Sequence, residues 1–243
     1  MGIVFGIHNE LGPLCDERIY QDELAYRCEV RGIGAALREV PIVVSHEGFS
    51  KTHFIDLLVA RSVIYELKTV KSLTGQHRKQ VLNYLLLTGL QCGKLVNLRA
   101  ASVEWSFVST RLTPERRHDY AVEDQEWKDR DEDSLWLRLT MLGLLTDWGA
   151  FLAVELFYDA IEHFRGGEDK VVQRIDIVSD SRVVGAQRAH LLNPETAFKI
   201  TAITRAPLAY EHHLRKFLSH THLKAIQWVN FNHHSITFRT ITG

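Results

Sequence analysis

The chain has little of what would commit it to an extracellular or membrane setting. Its 243 residues include three cysteines, Cys15, Cys28 and Cys92. Three thiols cannot all pair and these share no metal-type spacing, which fits a reducing compartment better than an oxidising one. No apolar run is long enough to span a bilayer. The opening residues Met1-Gly2-Ile3-Val4-Phe5-Gly6 lack the build of a secretory signal and the Ser or Thr that myristoylation requires at the sixth position. The expected location is the cytoplasm, with no membrane partner. Net charge is nearly absent: 29 basic against 30 acidic residues leave −1. The field of the whole molecule will not draw it onto nucleic acid, so any such contact must come from a local basic face. With 45% hydrophobic and 24% charged residues, the chain reads as an ordinary globular protein, long enough for one large or two small domains.

The most informative stretch runs from Phe54 to Lys68. Two short β-type segments are joined by a polar turn; Asp56 opens the first, and Glu66-Leu67-Lys68 closes the second. Side chains alternate along a strand, so Glu66 and Lys68 project to one face and Leu67 to the other. With Asp56 in the neighbouring strand, two carboxylates and one ammonium form a compact cluster. Such a cluster suits a hard divalent cation through oxygen ligands, with a lysine beside it.

Around this stretch the first half reads as a helix from about residue 13 to 32 and strands at 39–45, 52–59 and 63–70. A helix from 76 to 88, ended by Gly89, and a strand at 94–98 close the unit. Gln80 and Tyr84 share a face of the second helix, and Glu17 and Tyr20 share one of the first. The span 109–134 is dense in mixed charge, with Glu123-Asp124-Gln125-Glu126 and Asp129-Arg130-Asp131-Glu132-Asp133, and reads as a linker or a solvated helix.

That span divides the chain into similar halves, and a worn repeat joins them. Tyr84-Leu85-Leu86-Leu87-Thr88 and Leu95-Val96-Asn97 of the first half are echoed by Phe217-Leu218-Ser219-His220-Thr221 and Trp228-Val229-Asn230 of the second. Gly12, Glu17 and Tyr20 are likewise echoed by Gly149, Glu155 and Tyr158. In this register Glu66-Leu67-Lys68 falls opposite Lys199-Ile200-Thr201, Asp56 falls near His190, and Gln80 falls on His213. The second copy lacks the acidic pair and its lysine. The expected organisation is an intact domain over 1–108, a charged linker over 109–134 and a degenerate repeat over 135–243. The second half's paired histidines, His212-His213 and His233-His234, point apart within their elements and are expected to be surface or structural groups rather than a zinc site.

The ordered series Glu17, Asp56, Glu66-Leu67-Lys68, Gln80 and Tyr84 resembles the PD-(D/E)XK nuclease superfamily. More narrowly it is similar to the GxxExxY branch, through His8-Asn9-Glu10-Leu11-Gly12-Pro13, Glu17-Arg18-Ile19-Tyr20, Asp56-Leu57-Leu58-Val59, Tyr65-Glu66-Leu67-Lys68, Asn83-Tyr84-Leu85 and Leu95-Val96-Asn97. Cys15-Asp16 and Leu98-Arg99 depart from that branch's pattern.

The resemblance implies an α/β fold with a restriction-endonuclease-like core, a mixed sheet flanked by helices, here duplicated as a pseudo-dimer. It implies hydrolysis of phosphodiester bonds in nucleic acid, DNA for preference. Asp56 and Glu66 would hold Mg²⁺ or Mn²⁺ with the carbonyl of Leu67, and Lys68 would stabilise developing charge. Glu17, Gln80 and Tyr84 would complete the catalytic set. Lys71, His77, Arg78 and Lys79 are the expected phosphate contacts. One competent site nicks or trims, and a homodimer would supply the second site that cutting both strands takes. The rival reading is a catalytically silent nucleic-acid-binding or assembly module that keeps the fold.

Overall fold

The computed structural model describes all residues, Met1–Gly243. The chain divides into two compact units, the first comprising Met1–Ser45 and Ser50–Pro114, the second His46–Phe49 and Glu115–Gly243.

The first unit opens with α1 (Gly2–Leu11) and α2 (Glu17–Val30), followed by β1 (Ala36–His46), β2 (Phe49–Val59) and β3 (Val63–Lys68). Then come α3 (Gly75–Thr88), β4 (Cys92–Asn97) and β5 (Glu104–Ser109). The strands form one mixed sheet in the order β1-β2-β3-β4-β5. β3 is antiparallel to β2 and parallel to β4, and β5 is antiparallel to β4. Two helical layers cover this sheet. Ile3, Val4 and Ile7 of α1 and Tyr20, Leu24 and Cys28 of α2 pack on Leu57, Val59, Leu67 and Val96. Val81, Tyr84 and Leu85 of α3 pack on Ile55, Ile64, Leu95 and Val108. Alternation along β3 therefore sends Leu67 to the α1–α2 face, and Glu66 and Lys68 to the α3 face.

α3 starts where the sequence places it because Thr74 and His77 cap it reciprocally. Thr74 Oγ1 accepts the His77 N–H, and His77 Nδ1 accepts the Thr74 N–H. Gly89 ends the helix in the left-handed conformation (φ 74°). The helix lies close on β4 at Gly93, where an added Cβ would stand 2.7 Å from Val81 Cγ1. Gly93→Ala is expected to destabilise the first unit by about 1–3 kcal/mol through overpacking, read as an earlier urea midpoint with an unchanged slope.

The second unit contains α4 (Pro114–Arg117, its first residue shared with the boundary), β6 (Ala121–Glu126), α5 (Glu132–Trp148), α6 (Val154–Phe164) and α7 (Glu168–Val171). It continues through β7 (Val172–Ser179), β8 (Arg182–Asn193), β9 (Thr196–Thr201), α8 (Pro207–Leu218), β10 (Ala225–Asn232) and β11 (Ser235–Thr242). Its sheet runs β6-β11-β10-β9-β8-β7. Apart from β6, strand order follows the first sheet, and the pairing senses from β8 to β11 follow those from β2 to β5. Register follows as well, except at a bulge in β8 that sets Asn193 opposite Thr196. Leu58 pairs Ile64 and Leu191 pairs Ala197; Val63 pairs Cys92 and Thr196 pairs Ala225; Cys92 pairs Ser109 and Ala225 pairs Thr242. Each residue of the second set stands 133 positions after its counterpart in the first (191 − 58, 196 − 63, 242 − 109).

Three elements differ from the sequence reading. The N-terminal helix divides, with α1 added before Gly12 and α2 beginning only at Glu17. β5 follows β4 as a further strand. The span 109–134, read as a charged linker, carries α4 and β6, and β6 is an edge strand of the second sheet. Its charges sit where an edge strand tolerates them, with Glu123, Gln125 and Glu126 exposed.

Candidate active site

The ladder between β2 and β3 is regular from Val59–Val63 to Leu57–Tyr65. One step further Asp56 would face Glu66, but alternation in β2 breaks there. Ile55 and Leu58 both belong to the α3 layer, whereas Leu57 and Val59 face α1 and α2. At this fork the Asp56 carboxylate replaces a strand partner: its Oδ2 accepts the Leu67 N–H at 2.7 Å. Lys68 O accepts the Leu98 N–H on the β4 side. The N–H and C=O of Leu67 therefore both face the Asp56 side.

Glu66 is 1% exposed. Its Oε1 accepts from Lys68 Nζ at 2.7 Å, and its Oε2, fully buried, has no hydrogen-bond partner. Lys68 Nζ also lies 3.8 Å from Asp56 Oδ2. One ammonium thus serves two buried carboxylates. Burial, followed by the neighbouring Asp56 charge, raises the Glu66 carboxyl to about 7, and Lys68 only partly offsets this. Burial likewise raises Asp56 to about 6 against the opposing effects of Lys68 and the Leu67 N–H. Desolvation alone would lower the Lys68 ammonium, but Glu66 holds it above its ordinary value.

The other expected residues are distributed around this pair. Tyr84 reaches toward it from α3, its hydroxyl accepting from Gln80 Nε2 at 2.9 Å, and Asp56, Glu66 and Lys68 all act on it electrostatically. Glu17 begins α2 and acts on the same three charges through space. The loop before it is held by Tyr20, whose hydroxyl donates to Gly12 O and accepts from Cys15 N. No three His, Cys, Asp or Glu side chains are grouped closely enough to hold a metal ion by themselves.

Of the four expected phosphate contacts, His77 is engaged in the α3 cap and Arg78 Nη1 donates to Phe107 O at 3.1 Å. Lys71 and Lys79 are exposed.

Sequence reasoning did not single out two further residues. Glu39 lies on β1 with a left-handed backbone (φ 47°) and, with Glu17, adds negative charge at Asp56. Both line a cleft of about 950 Å³ between α2 and β1, together with Arg18, Asp22, Tyr26 and Arg38. Glu104 accepts from Leu73 N and from Asn97 Nδ2. Asn97 also accepts from Val70 N and donates to Val70 O, so the pair fixes the loop that leaves Lys68. Neither residue carried a recognisable spacing.

Residues 1–108 match the family model of the PD-(D/E)XK nuclease superfamily. The matched span holds Glu17, Asp56, Glu66, Lys68, Gln80 and Tyr84, and the mixed α/β architecture agrees with that fold. No curated protein matches the chain. A solved structure, the crystal structure of SSO0001, is 18% identical with a TM-score of 0.30 over 46% of this chain and 63% of that one. The alignment spans less than two thirds of that chain, and a likeness at this score carries no argument.

In the second unit, the 133-residue offset puts Lys199 at Glu66, Thr201 at Lys68 and Ala189, beside His190, at Asp56. The strand amide is satisfied differently. Ile200, at the position of Leu67, donates its N–H to the Tyr158 hydroxyl at 2.8 Å and accepts from it at 3.2 Å. A neutral hydroxyl from α6 thus does there what the Asp56 carboxylate does in the first unit, and it occupies the carbonyl as well. The Asn97 clamp has a counterpart in Asn230, which accepts from Ile203 N at 2.8 Å and donates to Ile203 O at 3.0 Å. The histidines are dispersed: His220, His222 and His234 contact the carbonyls of Val178, Pro194 and Asp119.

Proposed function

We propose that the first unit is a divalent-cation-dependent phosphodiesterase acting on nucleic acid, DNA for preference, and that the second is a degenerate copy kept as scaffold or substrate clamp. The observation that carries this reading is the buried, unpartnered Oε2 of Glu66 beside Asp56. A buried carboxylate oxygen without a donor costs free energy unless something positive completes it. Lys68 already spends its short contact on Oε1. Asp56, Glu66 and the outward carbonyl of Leu67 form a hard-oxygen set that suits Mg²⁺ or Mn²⁺. When bound, such a cation supplies Lewis acidity, easing deprotonation of water and offsetting charge on the phosphate.

The protein's own groups do the rest. Lys68 holds its ammonium against both carboxylates, where it can orient the attacking water and stabilise charge that grows on the phosphate. Gln80 fixes the Tyr84 hydroxyl at the α3 side of the pair. Glu17, held at the start of α2, shapes the outer field through solvent. Lys71 and Lys79 offer free cations to the sugar–phosphate backbone at the mouth of α3.

Support for a degenerate second copy comes from the common 133-residue offset in three separate strand ladders. Its site has exchanged two carboxylates and an ammonium for Ala189, Lys199 and Thr201, a set that cannot hold a cation.

The test is incubation of the full chain with labelled single- and double-stranded DNA and RNA, in Mg²⁺ or Mn²⁺ and in EDTA, alongside Lys68→Ala. Cation-dependent cleavage that Lys68→Ala lowers by about 10²- to 10³-fold is expected. Cleavage unchanged by that substitution, or none on any substrate, would overturn the reading. The second outcome would favour a silent binding module.

A further inference from the structure

The two sheets end differently at equivalent edges. In the second unit β11 is not terminal: β6 lies parallel to it, pairing Ser235 with Ala121, Ile236 with Val122 and Thr237 with Glu123. The chain just after β6 then covers Phe238, with Trp127 edge-on at 5.5 Å, and Phe238 is 0% exposed. In the first unit β5 is terminal. Trp105, in the position of Phe238, is 46% exposed, and Phe107 beside it on the same face is 48% exposed.

The backbone of that edge is also unpaired. Thr110 N donates to Gln91 O. Alternation along the antiparallel ladder then turns the N–H and C=O of Trp105, Phe107 and Ser109 away from β4. Of these groups, Phe107 O is engaged by Arg78. Edge strands are usually protected by charge, proline, a bulge or a covering element. Glu-Trp-Ser-Phe-Val-Ser carries one charged residue, and Glu104 is turned inward to Asn97 and Leu73.

We propose that the β5 edge of the first unit is a docking site for an extended, acidic segment of another polypeptide, added as a sixth strand with an apolar side chain over Trp105. The chain's own second unit supplies the form of the occupant: β6 reads Ala-Val-Glu-Asp-Gln-Glu and is followed by Trp127. Charge supports the same choice. Arg78 lies at the edge, whereas Lys94, across from Phe107, gives its ammonium to the Tyr65 hydroxyl on the β3 side. Backbone pairing would give affinity, and the Trp105–Phe107 surface would select side chains. The proposal is independent of the hydrolase reading, since the edge contains none of its catalytic residues.

The probe is a fluorescein-labelled peptide of this chain's Asp119–Asp129, titrated against the full protein by anisotropy with amide hydrogen exchange in parallel. A saturable rise is expected, with exchange at Trp105 and Phe107 slowed at least about tenfold, and with binding at least about tenfold weaker in Trp105→Ala. Phe107→Pro is expected to abolish binding with a melting temperature close to the parent's, because it removes the outward N–H and the half-exposed ring of Phe107 and no hydrogen bond to β4. Failure of the peptide to bind, or protection appearing on β11 rather than β5, would overturn the proposal. So would self-association that Phe107→Pro removes, which would make a second copy the occupant, or displacement of the peptide by oligonucleotides without amide protection.

Discussion

Replacing Glu66 with glutamine is expected to lower cation-dependent cleavage by at least about 10³-fold, the equivalent of several kcal/mol of lost charge stabilisation. The shape of the side chain survives, but a full negative charge and one of the two carboxylates of the proposed cation site are lost. Asp56→Asn is expected to do nearly the same for a different reason. The amide oxygen can still accept the Leu67 N–H, so the fork between β2 and β3 stays folded while the charge is gone. The measurement is single-turnover cleavage over a range of Mn²⁺ concentrations. Because the two carboxylates act as one unit with Lys68, the double variant should be barely worse than either single variant. Losses that multiplied independently would mean that the two do not share a cation.

Much of this arrangement was legible in the chain, and the failures have physical causes. Glu66 and Lys68 were readable together because period-two alternation leaves no other choice within one strand. Gln80 and Tyr84 were readable because residues four apart on a helix share a face, and α3 has clear caps. The position of Asp56 was only half legible. Its carboxylate reaches the Leu67 N–H because alternation in β2 breaks at that residue, and such a break leaves no mark in composition. α1 escaped notice because Gly2 and Gly6 are poor helix formers; burial of Ile3, Val4 and Ile7 overrides propensity there. The letters of β6 read as linker or solvated helix because an exposed edge strand bears charges where a central strand would bear valines. The proposed repeat is readable as echoed letters, with His190 near the position of Asp56. The 133-residue offset puts Ala189, next to His190, opposite Asp56, and there the hydroxyl of Tyr158 on α6 bonds the strand amide. No alignment of letters would reveal that substitution of a helix hydroxyl for a strand carboxylate.

The same two carboxylates make stability depend on pH in a way that a cation should reverse. Glu66, raised to about 7, and Asp56, raised to about 6, bind protons in the folded chain that they have lost in the unfolded one. Their stabilising contribution is complete below the unfolded values near 4 and disappears as pH rises through the folded ones. His190 works against this at lower pH. Burial lowers it to about 4, so its contribution is present above 6.5 and lost as pH falls toward 4. From about pH 6.5 to 8 the fall comes mainly from Glu66, with the end of the Asp56 titration beneath it, while the Met1 amine, lowered by burial, acts in the opposite sense. There the cation-free melting temperature is expected to fall with rising pH, and Glu66→Gln is expected to flatten that fall. At pH 8 the inactive Glu66→Gln variant should melt roughly 5 °C above the parent, since a neutral amide avoids an ionisation costing on the order of 2–3 kcal/mol in that setting. On the proposed reading Mg²⁺ or Mn²⁺ would bind the doubly ionised pair, so its stabilising shift should grow from pH 6 to pH 8 in the parent and vanish in the variant. Scanning calorimetry on both proteins at three pH values, with and without Mn²⁺, reads all of this without any substrate. A cation shift of equal size in the two proteins would place the ion elsewhere. A flat pH profile in the parent would mean that Glu66 is not ionising in a buried site, and the unpartnered oxygen would then need another explanation.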